Sequence, residues 1–172
     1  MKLPNVLFHG TTRARWELGI KQNGLRGDLP RHLVVDYNHY GYVFLTSSKE
    51  EAILYAIQTY FFDEQVPSYN KINSVCMEGV IVGVKTSHIR KQIEIDPEHE
   101  MSDFFNKALG IEDMLKKIGW YGDWYRYKGN IPQSQIFSNG IVPINHPQNE
   151  WVIKIFREGT IETFKQKEVA LS

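Results

Sequence analysis

The sequence predicts a single α+β domain, residues 1–172, built on a mostly antiparallel sheet with flanking helices. Three observations carry this. Apolar runs are short enough for strands, two of them pass directly into helix-like periodicity, and the second half is dominated by further strand-like runs. No internal repeat, linker or low-complexity tract divides the chain.

In order, Val6–His9 forms a strand, with Leu7 and His9 on one face and Val6 and Phe8 on the other. Thr12–Gln22 follows as a helix, stopped at Asn23-Gly24. About fifteen residues, "RGDLPRHLVVDYNHY", then lack periodicity, a length at which connectors are often functional. "YGYVFLTSS" is a second strand in which Tyr42, Phe44 and Thr46 alternate against Val43 and Leu45. "SKEEAILYAIQTYFF" is a helix: Ser48 and Glu51 make an S-x-x-E cap, and Ala52, Tyr55, Ala56, Thr59 and Tyr60 share a face.

A polar loop from Asp63 to Ser74 leads into "EGVIVGVKTS", apolar on both faces and so a central strand. "IEIDPEHE" is a short extended piece and a turn, and "SDFFNKALGIEDMLKKIG" one or two helices. "WYRYKGNIP", "IFSNGIVPI" and "EWVIKIFRE" complete the strands, ahead of a fraying tail.

Apolar residues make up 42% and aromatics 13%, enough for a substantial core. Lys+Arg and Asp+Glu balance at 20 each, so the totals give no support to binding a polyanion by counterion release. Cys76 is the single cysteine, which excludes a disulfide framework and a thiolate cluster and suits a small buried hydrophobe. The six histidines form no zinc-type spacing, so no metal is expected, and neither G-x-G-x-x-G nor a Walker A loop occurs. "MKLPNVLF" is too short and too early broken by proline for a signal peptide, and no run approaches the roughly 20 apolar residues of a spanning helix. The expectation is a cytoplasmic protein with no membrane contact.

The opening strand ends on His9, Gly10 and Thr11 and turns at once into a charged helix. Taken singly, a histidine at a strand end is an ordinary hydrogen-bonding group, and Phe44 and Tyr55 are ordinary core residues. Taken together, strand–His-Gly-Thr–helix, a glycine stop, a loop and "YGYVFLTSSKEEAILYA" resemble the ADP-ribosyltransferase family over Leu7–Ala56, and more loosely beyond. In the poly-ADP-ribosylating branch, two aromatic rings that sandwich nicotinamide lie eleven residues apart, as Phe44 and Tyr55 do here.

The resemblance implies a split antiparallel sheet and an NAD+-dependent glycosyltransferase that releases nicotinamide, with NAD+ as co-substrate and no metal. It assigns NAD+ binding to His9, Gly10 and Thr11, the nicotinamide slot to Phe44 and Tyr55, and the pyrophosphate to a loop arginine, Arg26 or Arg31. Cleaving the N-glycosidic bond passes through an oxocarbenium-like ribose, which favours a flat, water-poor slot. Each aromatic stack there contributes about 1 kcal/mol. Gly10, lacking a side chain, lets its backbone reach the carboxamide, and His9 can bond a ribose hydroxyl. A standalone transferase of this kind is most often a toxin or phage-conflict effector. It would act on a protein or nucleic-acid acceptor and could be held in check by an inhibitory partner protein.

The chain departs from the family pattern in three places. Many relatives carry tyrosine at the position of Phe44; Tyr42, on the same strand face, can supply the missing hydroxyl. Where relatives place a glutamate ahead of a G-x-I-P turn, "GDWYRYKGNIPQSQI" has Trp124, with Asp123 one residue earlier as the candidate acid and Gln133 and Gln135 beyond the turn. A one-residue offset puts a side chain on the other sheet face, so Asp123 substitutes only through a bulge or a different register. Third, RNA 2'-phosphotransferases share the His-Gly-Thr strand but rely on several arginines, for which Arg26, Arg31 and Arg126 are candidates. That enzyme, and an NAD+-binding module without turnover, are the alternatives.

Overall fold

A computed structural model describes residues 3–28, 41–97, 116, 122–150 and 153–154. Among these residues the strands are β1 (Val6–Thr12), β2 (Tyr42–Thr46), β3 (Glu78–Lys85), β4 (Ile93–Ile95), β5 (Trp124–Lys128) and β6 (Ile136–Pro143). They form one antiparallel sheet in the order β4-β5-β2-β1-β3-β6. The expected α+β class with an antiparallel sheet is therefore what the chain adopts.

Strand alternation separates two faces. On one, Leu7, Val43, Leu45, Val80, Val82, Val84, Tyr125 and Tyr127 build the main core. The first helical segment covers it through Trp16 and Ile20. That segment starts as α1 (Arg13–Arg15), widens to a π turn over Trp16–Ile20 and ends as α2 (Lys21–Asn23). Gly24 follows at φ 79°, the left-handed stop expected of Asn23-Gly24.

The other face receives α3 (Lys49–Asp63), whose Ala52 and Ala56 are fully buried. The small residues there let helix and sheet backbones approach closely. A Cβ at residue 10 would lie 1.7 Å from the Ala52 carbonyl oxygen, so only glycine fits under α3. A smaller cluster of Ala56, Ile57, Tyr60 and Ile144 completes this side.

Several expectations need correction. β1 runs on to Thr12, because its whole length pairs with β3, from Val6↔Lys85 to Thr12↔Gly79. The polar stretch after Asp63 is not all loop: Pro67–Cys76 forms α4, with proline at the helix start, where its missing N–H costs nothing, and Met77 in the left-handed region. Cys76 is half-buried there rather than enclosed. In the expected strand "EWVIKIFRE", the described residues Glu150, Ile153 and Lys154 are helical. The helices expected within 102–119 and the fraying tail lie outside the described residues.

A polar hub fixes the end of α3. Asp63, fully buried, accepts from Thr12 Oγ1 at 2.5 Å, Asn73 Nδ2 at 3.1 Å and Arg15 Nε at 2.7 Å. The exit of β1, the start of α1, α3 and α4 are thereby joined at one carboxylate. No helix among the described residues is long and apolar enough to cross a membrane.

Candidate functional site

β1 pairs fully with β3 but meets β2 in register only at Phe8↔Thr46. Where the two backbones part, a side chain bridges them: His9 Nδ1 lies 2.9 Å from the Phe44 carbonyl oxygen. A carbonyl only accepts, so Nδ1 carries the proton and Nε2 of the neutral ring is left as an acceptor. Burial holds the His9 pKa below the ordinary imidazole value, and the Arg15 charge adds to that, against the opposing pull of the Phe44 carbonyl. The ring is neutral at pH 7.

On β2, Val43 and Leu45 point into the main core, which turns Tyr42, Phe44 and Thr46 toward the face that carries α3. β5 pairs alongside through Thr46↔Trp124, Phe44↔Arg126 and Tyr42↔Lys128. Phe44 and Trp124 are thus diagonal neighbours on one face. Tyr55 reaches the same place from α3, its ring centroid 6.1 Å from that of Trp124 at an interplanar angle of 65°. One step along, the Arg126 guanidinium lies over the Tyr42 ring at 4.5 Å and its Nε bonds Glu94 at 2.6 Å.

Beneath the rings sits an acid that the sequence reading overlooked. Ser48 caps α3 as expected, its Oγ accepting from Glu51 N at 3.1 Å. The reciprocal half of the box is absent: Ser48 N donates instead to Thr46 Oγ1 at 3.1 Å. Glu51 turns inward, 3% exposed, and accepts from Thr46 Oγ1 on one oxygen and from Trp124 Nε1 on the other at 2.7 Å. Burial raises its pKa from 4.5 to about 7, with the nearby Asp123 charge adding to the rise, while the hydrogen bonds from Thr46, Trp124 and Gly122 pull it down. The S-x-x-E pattern was the available signal, and the apolar environment of the acid is what it hid.

The remaining candidates scatter. Gly10 lies beneath α3, so helix packing accounts for the glycine. Thr11 is fully buried and its Oγ1 has no hydrogen-bond partner. The β2–β5 register runs without a bulge, and Asp123 is exposed with its Oδ2 3.4 Å from Tyr125 Oη, on the face opposite Trp124. Its backbone, not its carboxylate, ties to Ser47, through N–H to Oγ at 2.8 Å. Arg26 is exposed and forms a two-point pair with Asp28 at 3.0 and 3.2 Å, holding the Asp28 carboxyl below its usual range. Arg31 lies outside the described residues. Gln133 and Gln135 occupy the turn before β6, which β2, β1 and β3 separate from β5.

The geometry therefore brings Tyr55, Trp124 and Glu51 together on the α3 face, with Phe44 diagonal to Trp124, whereas His9 alternates onto the Leu7 face of β1 and is tied to this group through the Phe44 carbonyl. Aromatic surfaces beside a carboxyl poised near neutrality suit a flat heteroaromatic ring. No family model matches the chain, and no curated protein matches it either.

Proposed function

We propose that the chain is an NAD+-dependent ADP-ribosyltransferase. The observation that carries this reading is the His9–Phe44 hydrogen bond, which ties the strand bearing His-Gly-Thr to the strand bearing the first of the two aromatic rings. Two segments far apart in sequence, each part of the family resemblance, thus lie on adjacent central strands.

In this reading His9 Nε2 accepts from a ribose hydroxyl, since Nδ1 is committed to Phe44. Phe44 and Tyr55 flank the nicotinamide, and Trp124 adds a third apolar surface that limits water. Bound NAD+ supplies an ADP-ribose from which nicotinamide departs as a neutral base. Arg126, on the face shared with Phe44, is available to phosphate oxygens if these displace Glu94, as Arg26 is if they displace Asp28. The acceptor is a protein or a nucleic acid, and the role of a toxin or phage-conflict effector held by an inhibitory partner accords with a compact transferase.

A binding module without turnover is the second reading, favoured by Trp124 standing where the family resemblance expects the acid. The RNA 2'-phosphotransferase reading has less behind it, because it needs several arginines released together, Arg26 from Asp28 and Arg126 from Glu94, where the NAD+ reading needs one.

Incubating the purified protein with NAD+ and an extract, and measuring free nicotinamide, tests the proposal. Release that His9→Ala and Tyr55→Ala each abolish supports it. Binding of NAD+ without release selects the module, and neither binding nor release overturns both. Labelled NAD+ in the extract, followed by nuclease or protease digestion, identifies the acceptor class.

A further inference from the structure

Glu51 and Tyr55 stand four residues apart on α3, and so on one side of the helix. Trp124 meets both: its indole N–H donates to Glu51 at 2.7 Å and its ring lies edge-on to Tyr55. Thr46, directly opposite Trp124 in the β2–β5 ladder, grips the other carboxylate oxygen. One side chain of α3 thus pins both strands under the aromatic cluster.

An indole has a single donor, and any backbone carbonyl or amide oxygen would satisfy it. A buried carboxyl is a costly choice for that task, because desolvation works against its charge. What it offers in return is two acceptor oxygens in one plane, which fix the direction of the Trp124 ring relative to β2 as well as satisfying its N–H.

We propose that Glu51 is a positioning residue of the candidate site: through Thr46 and the Trp124 indole it holds Trp124 edge-on to Tyr55, as a third aromatic wall beside Phe44 on the nicotinamide side. The assignment of the ligand rests on the NAD+ reading above; the coupling of Glu51 to Trp124 does not.

The test combines calorimetric titration with NAD+ and near-ultraviolet circular dichroism without ligand. Glu51→Ala weakens NAD+ binding about tenfold, comparable with Trp124→Phe, and adds nothing in the Trp124→Phe background. Glu51→Gln stays within about threefold of wild type, because its amide oxygen still receives the indole N–H. Glu51→Leu, which fills the volume without an acceptor, replaces Glu51→Ala should the latter not fold. Independent, additive losses from Glu51→Ala and Trp124→Phe overturn the proposal, as does an unchanged affinity in folded Glu51→Leu. If the wild type does not bind NAD+, the functional reading fails and the spectrum alone decides the coupling. The signal that Trp124→Phe removes must then also be lost in Glu51→Leu, and its persistence overturns the positioning role.

Discussion

The His9 imidazole donates from Nδ1 to the Phe44 carbonyl, 2.9 Å away, across the line where β1 and β2 separate. That bond fixes the tautomer and so the chemical character of the other nitrogen. Protonation would turn Nε2 from acceptor to donor. Because burial keeps the His9 pKa below 6.5, NAD+ affinity should hold from pH 8 down through 6.5 and fall only below it. Titration by calorimetry across that range checks this, with His9→Asn as a variant that lacks the step.

If Phe44 and Tyr55 flank the nicotinamide as proposed, affinity should show a graded loss. Removing one stacking face costs about 1 kcal/mol, so Tyr55→Leu should weaken NAD+ binding about fivefold. Phe44→Tyr retains the stack and should bind like wild type, whereas Phe44→Ala should resemble Tyr55→Leu. Equal affinities for all three variants would remove both rings from the site.

Gly10→Ala is a test of packing rather than chemistry. Its Cβ would meet the Ala52 carbonyl at 1.7 Å, and the backbone of α3 must move to admit it. A loss of about 3 kcal/mol or more in urea denaturation is expected, in line with overpacking against a rigid neighbour. A loss under about 1 kcal/mol would mean that α3 does not rest on β1 as described.

Glu51 sets a pH dependence whose sign follows from its raised pKa. Below pH 4.5 the folded and unfolded forms both hold the proton and nothing is lost. Between 4.5 and about 7 the unfolded chain releases it while the folded one retains it, so stability falls as pH rises. Above about 7 the penalty is complete, at most about 3 kcal/mol. Wild-type stability minus that of Glu51→Gln should therefore decline across this window and level off above it. A difference that is flat with pH would refute the buried, titrating carboxyl.

Asp63→Ala should cost about 3–5 kcal/mol, since it strands the Arg15 guanidinium and leaves Thr12 and Asn73 without their acceptor. Thermal melting with and without the substitution measures it. NAD+ affinity of the fraction that remains folded should be unchanged.

Much of the fold was legible because its signals are local. Alternation along Tyr42–Thr46, the cap at Ser48 and the stop at Gly24 are each set by neighbours within a few residues. The extension of β1 to Thr12 depends on pairing with β3, some seventy residues away, which no local pattern announces. α4 was missed because Asn70, Asn73 and Ser74 dilute its apolar face, and its helicity is held by Asn73 reaching Asp63 and the Ala14 amide. At the site, the spacing of Phe44 and Tyr55 was visible in the sequence. The inward turn of Glu51 was not, because a cap glutamate and a buried one look alike until the partners, Thr46 and Trp124, are in place.

The hub at Asp63 has one more consequence. Glu51 and Asp63 lie twelve residues apart on α3, about 18 Å along its axis, so the helix is clamped to the sheet near both ends and a loosened clamp at one end leaves the other to hold it in place.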